Sequence, residues 1–127
     1  MTAINDPVIV AEVRSAFERY ETALLANDNT TILDLFIDDP STVRYGVADH
    51  QYGYAEIAAF RASQQPFDRE LERLAITTYG SDFAVAQTLF HRDDLPGQVG
   101  RQTQVWIRTA DGWKVGAAHV SMIGALA

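Results

Sequence analysis

Four long segments of alternating polar and apolar residues fill the second half of the chain, and they constrain the fold more than any other feature. Alternation with a period of two is typical of β-strands that bury one face. Asp111-Gly112 separates the last two segments and is a strong hairpin signal. An antiparallel sheet is therefore expected from these segments, which cover residues 71–79, 83–92, 99–109 and 113–122.

The N-terminal region predicts a long amphipathic helix. Asp6-Pro7 matches a helix N-cap followed by proline at the first helical position. Apolar side chains then recur near helical spacing over roughly 20 residues. They are Val8, Val13, Phe17, Tyr20 and Leu24.

The segment between this helix and the long strands predicts short elements. A second helix is expected over residues 31–36 and a third over residues 55–61. Between them, residues 42–45 and 51–54 read as two short strands joined by a turn. The expected order of elements is ααββαββββ.

Helices followed by hairpin-linked strands indicate an α+β fold. We expect a single domain over residues 1–127, shaped as a cone-like roll. In it, the long N-terminal helix and the short helices pack on a strongly curved, mostly antiparallel sheet. Such a roll encloses a cavity between helix and sheet, and cavities of this kind are the usual ligand sites.

Composition narrows the chemistry of that cavity. The chain of 127 residues is 47% apolar and 21% charged, which is ordinary for a globular protein. It has no cysteine, which excludes disulfides and thiolate nucleophiles. The three histidines, His50, His91 and His119, lack the spacing of a metal site, and no glycine-rich phosphate loop occurs. A site without metal or cofactor is expected.

Charge and hydropathy bear on partners and location. The net charge of −7 argues against nucleic-acid binding, which depends on neutralising phosphates. No apolar run approaches the ~18 residues of a membrane span, and no signal-peptide pattern opens the sequence. We expect a cytoplasmic protein with no membrane partner.

Two polar side chains stand where a small domain normally places apolar core. Tyr20 lies on the apolar stripe of the first helix, either as a core tyrosine with a hydrogen-bonded hydroxyl or as a proton donor facing the cavity. Arg44 alternates with Val43 and Tyr45, so it faces away from them. It is either a salt-bridged surface group or, facing inward, the partner of a carboxylate. Few acidic residues are expected nearby.

Further polar candidates lie on the third helix and the last two strands. Arg61 is a surface helix residue, a brace across to the sheet or a ligand-binding group. Gln102 and Gln104 share one strand face, suited to a urea-like or carboxylate group or to a subunit interface. His119 and Ser121 follow Trp113 and Val115 in alternation, which predicts an inner face that turns polar at the cavity. His119 is either a base or a structural histidine.

Taken together, several strings resemble the AtzH/HpxZ-like proteins of the SnoaL and ketosteroid-isomerase-like (nuclear-transport-factor-like) superfamily. The resemblance covers nearly the whole chain. The strings are F-E-R-Y-E from Phe17, L-F from Leu35, V-R-Y-G from Val43, Y-G-Y-x-x-I-x-x-F-R from Tyr52, T-T-Y-G from Thr77, G-R-Q-T-Q-V-W from Gly100 and G-W-K-V-x-A-A-H-V-S from Gly112.

The resemblance implies a role beside amidase-signature enzymes in the breakdown of cyanuric acid or oxalurate. It implies decarboxylation of 1,3-dicarboxyurea to allophanate by a metal-free hydrolase, with Tyr20 and Arg44 as the catalytic residues. The catalytic aspartates of ketosteroid isomerases are not carried over. In this hypothesis Tyr20 protonates the urea nitrogen, Arg44 binds the spectator carboxylate or the urea oxygen, and Arg61, Gln102, Gln104, His119 and Ser121 bind the rest.

Three alternatives remain open from the sequence. The chain is a decarboxylating enzyme, a non-catalytic partner of an amidase that binds a small ureido carboxylate, or a small-molecule isomerase or cyclase with an apolar cavity. A homodimer is also expected, formed through the outer face of the sheet. Trp106, Val120 and Met122 are expected to supply its apolar surface.

Overall fold

The helices and strands follow the predicted order ααββαββββ. The structure, a computed structural model, describes residues 3–124. The helices are α1 (Pro7–Leu25), α2 (Asn29–Asp34) and α3 (Tyr54–Ala62). The strands are β1 (Val43–Tyr45), β2 (His50–Tyr52), β3 (Arg69–Tyr79), β4 (Phe83–Arg92), β5 (Gln98–Thr109) and β6 (Gly112–Gly124). None of the helices in residues 3–124 is long and apolar enough to cross a membrane.

Two element boundaries differ from the prediction in ways that matter for the site. α2 begins two residues earlier than predicted because the Asp28 side chain accepts a hydrogen bond from the Thr31 amide and caps it. β3 also begins two residues earlier, at Arg69, which places this arginine within the sheet opposite Arg92.

All strands belong to one open, mixed sheet in the order β2-β1-β6-β5-β4-β3. Neighbours are antiparallel except β1, which runs parallel to β6. Helix α1 packs against β3 and β6, so it covers one face of the sheet. The predicted cone-shaped α+β roll is confirmed.

The core lies between α1 and the inner face of the sheet. Four of the five side chains predicted on the apolar stripe of α1 are buried, and Phe17 is 1% exposed. The prediction is wrong for Val8, which is exposed, and Ile9 is buried instead. Across from them, Trp106 of β5 and Val115 of β6 are fully buried. Truncating a buried aromatic such as Phe17 to alanine is expected to cost about 3–5 kcal/mol. This packing fixes the angle at which Tyr20 meets the sheet.

A β-bulge in β6 decides which residues face the interior. Val105 pairs with Ala117, yet the next residue, Trp106, pairs with Val115, so Gly116 is an extra residue in β6. One extra residue moves every later side chain to the opposite face. Ala118 and Val120 therefore face inward after the bulge, where strict alternation predicts His119 and Ser121.

Candidate functional site

A small cavity of about 100 Å³ lies between the helices and the inner face of the sheet. Five of the predicted site residues meet there: Tyr20, Arg44, Arg61, Gln102 and Gln104. The other lining residues are Leu24, Val47, Asp49, Phe60, Gln64, Phe67, Arg69, Phe90, Arg92, Ala118 and Val120.

The cavity wall is rich in cations although the chain is acidic. Four arginines line it: Arg44, Arg61, Arg69 and Arg92. Asp49 is the one carboxylate among the described lining residues. Asp49, Glu21 and Asp94 pair with Arg44, Arg69 and Arg92, so Arg61 leaves a local excess of one positive charge. In a partly enclosed space such an excess attracts a small anion, whatever the net charge of the whole protein.

Tyr20 points its polar end toward this cavity. Its side chain is 6% exposed, and its ring makes edge contacts with Phe36 and Trp106, with centroids 6.1 and 6.5 Å apart. No group in residues 3–124 hydrogen-bonds its hydroxyl. The phenol is thus held rigidly by packing while its O–H is left to a ligand or solvent, as a proton donor requires.

Arg44 faces inward, as one of the two interpretations from the sequence predicts. It already has an acidic partner within the protein. Its Nη1 donates to Asp49 Oδ1 at 2.8 Å and to Gln51 Oε1 at 2.9 Å. Its guanidinium lies 4.5 Å from the centroid of Phe60. Acids are few here, as expected, but the β1–β2 turn brings Asp49 back to this arginine. A Cβ at Gly46 would contact both Asp49 and Arg44.

Arg61 is the cation of the cavity that lacks a carboxylate. The residue is 6% exposed, so the surface reading is wrong. Its Nη2 donates to Asn27 Oδ1 at 3.3 Å, and its Nε has no partner among the described residues. Burial lowers the pKa of Arg61, nearby Tyr20 opposes this effect, and Arg44 adds to it. Because arginine still remains charged at neutral pH, a guanidinium without a carboxylate among the described residues favours binding of an anion here.

Arg69 is a buried site residue that the sequence analysis missed. Its Nη2 and Nε donate to the two carboxylate oxygens of Glu21 at 2.6 and 3.0 Å, and its Nη1 donates to Gln102 Oε1 at 3.0 Å. Its guanidinium lies 4.7 Å from the centroid of Phe90. The available signal was alternation in β4, which places Phe90 and Arg92 on one face, beside the start of β3.

The two glutamines on β5 face the interior, so they are not available to pair across a subunit interface. Gln102 is 5% exposed and Gln104 is 1% exposed. Gln104 Oε1 accepts a hydrogen bond from the Trp106 indole at 3.1 Å. Gln102 Nε2 is buried and has no acceptor among the described residues.

His119 and Ser121 do not line the cavity, so the expectation that they face inward is wrong. The bulge at Gly116 turns both to the outer face of the sheet. There the ring of His119 lies 5.7 Å from that of Tyr45, and Ser121 Oγ accepts a hydrogen bond from Arg101 Nε at 3.2 Å. Neither can reach a ligand in the cavity.

The same bulge overturns the surface predicted for subunit pairing. Trp106 is fully buried in the core and Val120 lines the cavity, so neither offers apolar surface outside. Half-buried Met122 lies near the end of the strand. The outer face instead carries a shallow groove lined by Val43, Tyr45, Thr103, Val105, Ala117, Ala118 and His119.

A family model described as AtzH-like matches residues 2–125 of the chain. No curated protein matches the chain.

Solved structures agree with this match and with the fold. A cystatin-like fold protein from Burkholderia xenovorans is 46% identical over 100% of both chains, with a TM-score of 0.94. A protein of unknown function from Pectobacterium atrosepticum is 44% identical over 95% of each chain, with a TM-score of 0.92. A nuclear transport factor 2-like superfamily protein from Salmonella enterica is 26% identical over 95% of this chain and 94% of that chain, with a TM-score of 0.75.

Proposed function

The chain belongs to the AtzH-like family, and we propose that it is a cofactor-independent decarboxylating hydrolase acting on a small N-carboxylated urea. The proposed reaction converts 1,3-dicarboxyurea to allophanate, and a related ureido acid is the other substrate of the same chemical class. The guanidinium of Arg61 carries the proposal, because it has no carboxylate partner and its Nε has no acceptor within residues 3–124. A buried cation that lacks a counter-charge costs free energy, and a bound carboxylate recovers it.

The size and charge of the cavity support a short anion rather than a large apolar ligand. A space of about 100 Å³ suits a molecule of a few heavy atoms. Arg44, Arg69 and Arg92 are each paired with a carboxylate, so the remaining charge of Arg61 favours a ligand with a carboxylate of its own. The isomerase or cyclase alternative requires an apolar cavity. The arginines in the cavity wall argue against that alternative.

The proposed step balances without a cofactor. The substrate dianion takes up one proton, the bond between nitrogen and the departing carboxyl carbon breaks, and carbon dioxide and the allophanate monoanion form. Tyr20 donates the proton to nitrogen, and water returns one to the phenol. General acid catalysis of this kind is worth about 10²–10⁴ in rate.

The two inner arginines divide the remaining roles. A cation that grips the departing carboxylate stabilises the ground state and slows the step, because only contacts that strengthen in the transition state accelerate it. Arg61 therefore binds the carboxylate that stays. Arg44, whose charge Asp49 partly offsets, binds the urea oxygen, where negative charge grows as the bond breaks.

The test is carbon dioxide release from enzymatically generated 1,3-dicarboxyurea, since the compound also loses carbon dioxide spontaneously. Wild type, Tyr20→Phe, Arg44→Ala and a sample without enzyme are compared, with Tyr79→Phe as the control because Tyr79 is exposed and outside the cavity. Tyr20→Phe is expected to lower kcat about 100-fold or more. Arg44→Ala is expected to lower kcat as well, because its contact with the urea oxygen strengthens as the bond breaks. Full turnover by Tyr20→Phe would rule out the proton-donor role.

The alternative from another class is a non-catalytic partner of an amidase-signature enzyme, with the cavity serving to bind a ureido carboxylate. Equal carbon dioxide release with and without the protein, together with a stable complex with such an amidase, would favour this alternative.

The formation of a homodimer stays a prediction. Size-exclusion elution as a monomer at micromolar concentration would count against it.

A further inference from the structure

A buried chain of side chains connects α1 to the cavity through β3 and β5. The Glu21 carboxylate accepts both hydrogen bonds of the Arg69 fork, and Arg69 Nη1 donates to Gln102 Oε1. The Arg69 side chain is 2% exposed and that of Glu21 is 15% exposed. A planar guanidinium held by a bidentate carboxylate and by the face of Phe90 has little freedom to rotate.

This fixed guanidinium dictates the orientation of the Gln102 amide. Arginine carries only hydrogen-bond donors, so it can meet Gln102 only through the amide oxygen. The flipped amide would bring two N–H groups together. Gln102 Nε2 is therefore turned away from Arg69, and it is buried at the cavity with no acceptor among the described residues.

Two residues of the cavity wall thus each carry a buried donor that has no partner within residues 3–124. One is charged, at Arg61 Nε, and the other is neutral, at Gln102 Nε2. We infer that Gln102 is a specificity-determining residue that selects a carboxylic acid carrying a second, amide or urea carbonyl oxygen, and that Glu21 and Arg69 are its positioning residues. This inference rests on the cavity assigned in the proposed function and names the ligand class that the cavity takes.

The energetic reason is the cost of an unpaired donor. A simple aliphatic carboxylate satisfies Arg61 but leaves Gln102 Nε2 buried without an acceptor. A site built to hydrogen-bond a polar group discriminates strongly against an analogue that lacks this group. The ligand carbonyl has two lone pairs, so it can accept from Gln102 and from Arg44 at once.

Two stable probes separate this effect from charge and size. Malonamate carries a carboxylate and an amide carbonyl, and 3-methylbutyrate has the same branched skeleton of heavy atoms without the second acceptor. Binding to the full-length protein is measured by calorimetry, and the readout is the ratio of the two dissociation constants. Wild type is expected to bind malonamate at least about 10-fold more tightly than 3-methylbutyrate.

Substitutions of Gln102 and Glu21 should change the ratio of the two dissociation constants. Gln102→Glu keeps an oxygen for Arg69 but replaces the donor with an acceptor, so the ratio should fall toward one. Gln102→Met should do the same without adding charge. Glu21→Gln releases half of the Arg69 fork and should lower the ratio in part. Gln64→Glu is the matched control. Gln64 lines the cavity but takes no part in the hydrogen bonds that link Glu21, Arg69 and Gln102, and its new charge should weaken the binding of both probes alike.

A wild-type ratio near one, binding of neither probe, or a ratio that Gln102→Glu leaves unchanged would overturn the inference. The outcome is independent of turnover. Selective binding of malonamate without carbon dioxide release from 1,3-dicarboxyurea would retain the ligand class and remove the decarboxylase assignment.

Discussion

The carboxylate of Asp49 lies 2.8 Å from Nη1 of Arg44, so this arginine is paired before any ligand arrives. The Arg44 side chain is 15% exposed and that of Asp49 is 34% exposed, which leaves the pair at the wall of the cavity rather than in the core. Arg61, by contrast, has no carboxylate among the described residues. The anion-binding strength of the cavity is therefore set by Arg61 and moderated by Asp49.

Asp49→Asn is expected to tighten binding of malonamate about 3- to 10-fold, because one negative charge leaves the cavity while the amide oxygen can still accept from Arg44. The gain should shrink as salt is raised, since the pair is partly exposed. Asp38→Asn is the control, because it makes the same change in net charge at an exposed position outside the cavity. Weaker binding by Asp49→Asn would mean that Asp49 acts mainly by holding Arg44 in place.

Two buried arginines should respond to truncation with opposite signs. Arg61→Met removes a desolvated charge that has no carboxylate among the described residues, so we expect the free energy of unfolding to rise by about 1 kcal/mol. Arg69→Met leaves the Glu21 carboxylate without its fork, so we expect a loss of about 3 kcal/mol. Both variants should lose affinity for malonamate. Urea denaturation of the two variants measures the contrast.

This pair of variants contains its own control, since the two substitutions remove the same group from the same cavity. If Arg61→Met destabilises the fold as much as Arg69→Met, Arg61 is a structural brace, and its lack of a carboxylate partner does not mark an anion site. If Arg61→Met is more stable yet still binds malonamate, another arginine provides the anion site.

The sequence predicted the elements well and the site only in part, for identifiable physical reasons. Helical spacing placed Tyr20 correctly because α1 is regular over its whole length. His119 was misplaced because a bulge of one residue at Gly116 reverses alternation. A glycine within a strand is a signal for such a bulge, and strict alternation leaves that signal out. Arg69 was missed because its role depends on Glu21, 48 positions earlier in the chain. Such a contact between distant positions cannot be read from local patterns.

Gly100 should be intolerant of a side chain for a reason tied to the cavity. A Cβ at this position would overlap the ring of Phe90, which lines the cavity and stacks on Arg69. Gly100→Ala is expected to cost about 1–3 kcal/mol of stability through overpacking and to weaken malonamate binding. Thermal melts and calorimetry check both effects. Gly124→Ala, where a Cβ meets nothing within 4 Å, is the control and should be neutral.

The last prediction concerns pH and the attachment of α1 to the final hairpin. The Glu12 carboxylate accepts hydrogen bonds from Arg108 Nη1 at 2.7 Å and from Trp113 Nε1 at 3.3 Å. The hydrogen bond from Arg108, followed by that from Trp113, lowers the pKa of Glu12 below its usual value of 4.5. A lowered pKa in the folded state means that the stabilisation is present above the unfolded pKa and is lost as pH falls through the folded pKa.

Glu12→Gln should therefore melt at a lower temperature than wild type near pH 7, and the difference should shrink once the pH falls below about 4.5. Circular-dichroism melts between pH 3 and pH 7 measure this difference. Glu18→Gln is the control, since Glu18 lies on the same helix, is exposed and makes no ion pair within residues 3–124. A difference for Glu12→Gln that stays constant across the range would assign the loss to packing of the side chain rather than to its charge.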